Sequence, residues 1–133
     1  MKYLLDTDTC IYLINAQRAR VASNFARIRP GDVAVSSIVA AELAFGVVKS
    51  GSSRNGERLE TFLSPLAIAS FDLSAALAYG DLRAELERRG TPIGPLDLLI
   101  AAHALALDVI LVTNNEREFK RVPGLRVENW TRR

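Results

Sequence analysis

Three carboxylates sit where the surrounding residues are poorly suited to hold charge. Glu42 lies in Ile38-Val39-Ala40-Ala41-Glu42-Leu43-Ala44-Phe45, and Asp97 in Pro95-Leu96-Asp97-Leu98-Leu99-Ile100-Ala101-Ala102. Both stretches read as helices apolar on every side and therefore expected to be buried. Asp6 directly follows the apolar run Tyr3-Leu4-Leu5. A buried carboxylate is unfavourable unless it is paired with a base, placed at a helix start or bound to a cation. If the three converge within ~4 Å, each pair repels by roughly 4 kcal/mol at an effective dielectric of 20. Such a cluster persists if some members stay protonated or if a divalent cation neutralises them. Oxygen donors without cysteine or histidine suit Mg²⁺ or Mn²⁺ rather than zinc. A few carboxylates around such an ion describe a phosphoryl-transfer or phosphodiesterase site.

The elements that position these acids follow from hydrophobic periodicity. Lys2 to Leu5 reads as a strand, and Thr7, Asp8 or Thr9 as the cap of a helix through Ile11, Leu13 and Ile14. Val21 to Arg29 reads as a helix closed by Pro30-Gly31, Val33 to Ser36 as a strand, Ile38 to Lys49 as a helix, and Gly51-Ser52-Ser53 as a loop. Leu59, Phe62, Leu63 and Leu66 mark one helical face. Ala67 to Phe71 is a further strand. Ser74 is expected to cap a long helix with Ala75, Ala78, Leu82 and Leu86 inward, stopped by Gly90 and Pro92. Leu96 to Leu107 is the next helix, Val109 to Val112 a fourth strand and Leu125 to Val127 a candidate fifth. Short apolar strands alternating with helices give a helix-rich α/β fold with a parallel sheet of four to five strands. Ligands of such sheets bind beyond the carboxyl ends of the strands, where Asp6, Ser36-Ser37, Asp72 and Thr113-Asn114-Asn115 stand.

Composition bounds the class. The 133 residues are 49% apolar and 24% charged, as expected of one globular domain spanning residues 1–133. No apolar run approaches the ~18–20 residues of a membrane span, and the start lacks a signal-peptide layout. The single cysteine, Cys10, permits no internal disulfide and fits a reducing compartment, so a cytoplasmic location is expected. Without export, the sequon Asn129-Trp130-Thr131 carries no meaning. Net charge is only +2, but the bases are arginines except for Lys2, Lys49 and Lys120. Arginine suits bidentate phosphate contacts, and a genomic compositional bias gives the same excess.

Leu4-Leu5-Asp6-Thr7-Asp8, Ala41-Glu42-Leu43 with Gly46, Ile93-Gly94-Pro95-Leu96-Asp97 through Ala104, and Leu111-Val112-Thr113-Asn114-Asn115 through Glu118-Phe119 to Trp130 form an ordered series over nearly the whole chain. This series resembles the PIN-domain ribonucleases, and more narrowly the VapC-type toxins of prokaryotic toxin–antitoxin pairs. The resemblance implies a three-layer α/β/α domain and a Mg²⁺-dependent endoribonuclease, with Mn²⁺ as a substitute and tRNA a candidate substrate. It also implies neutralisation by a cognate antitoxin and a homodimer. By the same resemblance Asp6, Glu42 and Asp97 are the metal-site acids, with Asn115 at a fourth catalytic position that is aspartate in many PIN domains. Glu118, one helical turn further on, is a possible replacement carboxylate. Asp8, where these toxins more often carry asparagine, is either near the metal or a helix N-cap. Thr113 and one of Ser36 and Ser37 could donate hydrogen bonds around the acids. The implied hydrolysis leaves a 5′-phosphate and a 3′-hydroxyl.

Rival readings exist. Asp6-Thr7-Asp8-Thr9 also resembles the opening motif of haloacid-dehalogenase-type phosphatases, which want a late acidic pair where this chain has Thr113-Asn114-Asn115. A P-loop is excluded by Glu57 at the lysine position. A non-catalytic RNA- or protein-binding module is the alternative from another class, favoured by the missing fourth aspartate. His103 does not share a face with Asp97 and reads as a core or dimer-contact residue. Cys10 reads as a small buried residue, and Tyr12, Phe45 and Trp130 as core in preference to a hydrophobic groove for an antitoxin or second subunit. Arg117, Lys120 and Arg121, with Arg126 nearby, are candidate RNA contacts, and Arg132-Arg133 ends the chain.

Overall fold

The computed structural model describes residues 1–132. Its order is β1 (Tyr3–Leu5), α1 (Thr7–Ile14), α2 (Ala19–Ala26), a 3-10 turn (Pro30–Asp32), β2 (Val33–Ser36), α3 (Ser37–Ser50), α4 (Ser53–Leu63), β3 (Ala67–Ala69), α5 (Leu73–Arg89), α6 (Pro95–Leu107), β4 (Ile110–Val112), α7 (Glu116–Phe119) and β5 (Val127–Glu128). The strands form one parallel sheet in the order β3-β2-β1-β4-β5. All residues of β1 and β2 are buried. Successive strand residues point to opposite faces, so the sheet is covered on both sides, as the near-continuous apolar runs require.

The register sets the site. Leu4 pairs with Ala34 on one side and Leu111 on the other, which brings the residues after β1, β2 and β4 to one edge. The core combines these strands with Val39 and Leu43 of α3, Leu82 and Leu86 of α5 and the buried face of α6. Gly51 and Gly90, at φ 66° and 69°, end α3 and α5 in the left-handed conformation that glycine adopts without penalty.

Several expectations are corrected. The cap of α1 is Asp6, whose carboxylate accepts from the Thr9 amide at 2.9 Å; Thr7 is already helical because the chain turns directly off the strand end. Asp72, not Ser74, caps α5, accepting from the Ala75 amide at 3.1 Å. The helix expected from Val21 to Arg29 spans Ala19–Ala26. Residues 51–53 are hardly a loop, since Gly51 ends α3 while Ser52 caps α4. The third strand stops at Ala69, and the fifth lies at Val127–Glu128. Helix α3 is not buried all round: Phe45 is 66% and Val48 78% exposed, so Phe45 is no core residue. Trp130 and Cys10 are buried as expected, and Tyr12 is half-buried.

Candidate active site

Asp6 is buried at the end of β1 and is held twice over. It accepts the Thr9 amide, and the buried Thr113 at the end of β4 hydrogen-bonds it as well. Its pKa is raised nonetheless, because burial outweighs these bonds, and Asp8 adds repulsion. Thr113 also accepts the Asn115 amide at 3.0 Å, so one hydroxyl couples two site residues, as expected of a supporting group. Asp8 is exposed on the first turn of α1 and is not its cap, which overturns that role.

Glu42 lies on α3 facing α1. Thr7 donates its hydroxyl to Glu42 Oε1 at 2.7 Å across 35 positions of sequence. Both line a pocket of about 230 Å³ with Ile11, Ile14, Leu43 and Leu59. Thr7 is thus a site residue, although its place in the sequence suggests only a capping role.

Asp97 stands in the first turn of α6. Burial pushes its pKa up to about 7, helped by Glu118, by a hydrogen bond shared with that carboxyl group, and by Asp6 and Glu42. The four acids therefore feel one another. Glu118 stays low: it accepts the Gly94 amide at 2.6 Å and the Asn115 side-chain amide at 2.8 Å, bonds Asp97, and lies near Arg121. Asp97 therefore favours its protonated form up to about pH 7, while Glu118 is held in its charged form. A Cβ on Gly94 would lie 3.4 Å from Glu118 Oε1 and 3.7 Å from Asp97 Oδ2, so a small residue suits that approach.

No Lys or Arg lies within salt-bridge distance of Asp6, Glu42, Asp97 or Glu118 among the described residues. Pairing with an arginine is thereby removed as an explanation for these acids, while a helix-start position serves Asp6 and Asp97 but not Glu42. Among the same residues, no three His, Cys, Asp or Glu side chains form a ready-made metal cage. Mg²⁺ does not demand one, since it commonly keeps several waters and takes one or two carboxylates directly. The donor set, oxygen-only and excess in negative charge, fits a hard divalent cation.

A PIN domain model matches residues 3–125. The chain belongs to the PIN-domain family. Across this PIN domain, identity reaches 47% over 132 residues with "Ribonuclease VapC2" of Rickettsia felis, covering 98% of both chains. It is 42% identical over 131 residues to "tRNA(fMet)-specific endonuclease VapC" of Salmonella typhimurium, again covering 98% of each. Among solved structures, it superposes with a TM-score of 0.91 on a chain of the DNA-bound VapBC2 complex from Rickettsia felis, at 46% identity over 98% of this chain and 99% of that one. The DNA-bound VapBC of Salmonella typhimurium gives 0.92 at 42% identity, with 98% coverage of both. The α/β architecture and the VapC-type resemblance hold, and the phosphatase reading is set aside.

The remaining candidates divide clearly. Ser36 is buried, accepts the Ile38 amide and contacts His103 Nδ1 at 2.9 Å, so it braces the core beneath the site. His103 packs edge-on to Phe71 and is a core residue. Ser37 accepts the Phe71 amide. Arg117 and Arg121 line a cleft of about 450 Å³ with Asn115, Glu118 and Gly94, whereas Lys120 is exposed outside it. Arg126 is drawn away to Asp108. Arg133 lies outside the described residues. The short helix α7, which carries Glu118, has no signature in the sequence, because a periodicity of 3.6 cannot register in four residues.

Proposed function

We propose that this chain is the toxin of a type II toxin–antitoxin pair: a Mg²⁺-dependent endoribonuclease, with Mn²⁺ able to substitute, that is neutralised by a cognate antitoxin in the cytoplasm. The observation that carries the reading is the gathering of Asp6, Glu42, Asp97 and Glu118 with no Lys or Arg in salt-bridge distance among the described residues, where burial first and the neighbouring carboxylates second raise Asp97 to about 7. The names of its relatives as ribonucleases, and of its structural neighbours as VapBC complexes, support both the activity and the partner. A tRNA substrate rests on the Salmonella relative's name.

In this reading Asp6 and Asp97 bind the cation, with Glu42 as a third ligand or a holder of the attacking water. When bound, the ion supplies charge neutralisation at the scissile phosphate and a more acidic water. Thr7 fixes Glu42, and Thr113 fixes Asp6. Asn115 holds Glu118 beside Asp97. Arg117 and Arg121 rim the cleft for flanking phosphates. No helix among the described residues is long and apolar enough to cross a membrane. Exposed Phe45, Val48, Leu73 and Leu77 leave apolar surface for the proposed homodimer and antitoxin contacts.

The test is incubation of antitoxin-free protein with a labelled tRNA pool, with Mg²⁺ or Mn²⁺ against EDTA, and Asp97→Asn in parallel. Discrete fragments that require metal and vanish in the variant are expected. Absence of both cleavage and calorimetric metal binding overturns the reading in favour of a binding module.

A further inference from the structure

The arginines of this chain fall into two groups. Those of α5 are neutralised: Arg83 pairs with Glu87 at 2.8 Å, and Arg88 and Arg89 pair with Glu85 at 2.6 and 2.9 Å. Those of α2 are not. Arg20, Ser23, Asn24 and Arg27 recur on one face of that helix, and neither arginine has a carboxylate within salt-bridge distance among the described residues. With Arg132 they line a pocket of about 240 Å³ whose walls, among the described residues, contain no acid.

This groove is built. Asn24 donates its side-chain amide to the carbonyls of Arg20, Trp130 and Arg132 at 2.9, 3.0 and 3.3 Å, which laces the C-terminal segment to α2. Its own carbonyl accepts from Arg27 Nη2 at 2.8 Å, which orients that guanidinium. Arg20 and Arg27, which have no carboxylate partner among the described residues, favour an anion between them, with Arg132 at the rim held by Glu116; planar guanidinium forks match phosphate oxygens in pairs.

Two chains of contact tie the groove to the proposed active site. Arg132 pairs at 3.0 Å with Glu116, which directly follows Asn115. Arg18, just before α2, lies 5.3 Å over the Tyr12 ring, whose hydroxyl accepts from the Asn114 side chain at 2.8 Å. Arg18 and Ala16 both take left-handed backbone conformations, φ 55° and 52°, so the turn that aims Arg18 there is held under strain.

From this convergence we infer that the groove of Arg20, Arg27 and Arg132 is a second RNA-binding site, which grips backbone phosphates of the substrate away from the scissile bond. The inference rests on the ribonuclease reading for the identity of its ligand. It explains how a small domain could hold a folded RNA without an aromatic platform for stacking bases.

The test pairs the full chain with Arg20→Gln/Arg27→Gln, both confirmed folded by circular dichroism. Binding of fluorescent tRNA, a short single-stranded oligoribonucleotide and duplex DNA is followed by anisotropy in EDTA over a salt series. With two phosphate-gripping guanidiniums removed, the slope of log K against log salt for tRNA should fall by about 1.5. Affinity at low salt should drop about tenfold or more, with the oligonucleotide little changed. In tRNA cleavage, KM should rise with kcat unchanged. An unaltered tRNA slope overturns the inference, as does a weakening confined to DNA or one equally large for the oligonucleotide. If the parent cleaves no RNA with metal, the ribonuclease reading fails separately, while the EDTA binding series still decides whether the groove holds RNA.

Discussion

The Thr7 hydroxyl holds Glu42 Oε1 at 2.7 Å, joining the first turn of α1 to the middle of α3 beside the acid cluster. Glu42 has no other hydrogen-bond donor on its side chain among the described residues, so its direction depends on this bond. Thr7→Val keeps the shape and removes the donor. We expect cleavage to fall about tenfold, with stability lowered by about 1 kcal/mol. Thr7→Ser should retain activity. Single-turnover cleavage and urea unfolding of the two variants check this, and equal activity of Val and wild type would detach Thr7 from the site.

Asp97→Asn removes the carboxyl group most strongly opposed by its neighbours. Without metal, the variant should be as stable as wild type or melt about 2–4 °C higher near pH 7.5. Cleavage should nevertheless drop at least 100-fold. Differential scanning calorimetry beside the nuclease assay tests both halves; an unfolded variant would make Asp97 structural.

Stability should depend on pH in a defined window. Folded Asp97 keeps its proton up to about pH 7, against 3.8 ordinarily. Between those values the folded chain binds more protons than the unfolded one, so stability falls as pH rises from about 4 to 7. Asp6, also raised by burial, acts in the same direction. Glu118, held below its ordinary 4.5, contributes stability above that value and loses it as pH drops lower. Metal-free protein should therefore melt higher near pH 5 than at pH 8, and Asp97→Asn should flatten the difference. Added Mg²⁺ should restore stability mainly at the alkaline end. A melting temperature that climbs from pH 5 to 8 without metal contradicts this.

Asn115→Asp substitutes a charge where a donor now holds Glu118 at 2.8 Å. The apo variant should be destabilised by about 1–2 kcal/mol, since a satisfied bond becomes a like-charge contact. Its Mg²⁺ affinity should increase. Titration calorimetry with both proteins decides; unchanged affinity would remove Asn115 from the metal's surroundings.

Much of this was legible in sequence for a simple reason. Apolar runs such as Tyr3-Leu4-Leu5 and Ile110-Leu111-Val112 can only be central strands, and their polar ends had to meet at one edge. The acids in apolar stretches followed from the same logic. What escaped depends on contacts between distant positions: Thr7 with Glu42, 35 residues apart, and Gly94 with Glu118, 24 apart. Periodicity carries no information on these. It also overstated the burial of α3, because an all-apolar helix reads as core even when Phe45 and Val48 face outward. Asp6 stands out in the sequence as a strand-end acid, yet not as a helix cap, since a strand leading straight into a helix makes one residue serve both.

The central strand β1 precedes the other four strands in the sequence, yet one of its two partners, β4, begins only at Ile110. Leu4 and Leu111 are neighbours in the sheet but far apart in the order in which the chain is made. An unfinished chain on the ribosome therefore carries Asp6 without Thr113 or Glu118 to complete its surroundings. The acid cluster is therefore complete only once Glu118 has emerged behind Asp6, long after β1 itself.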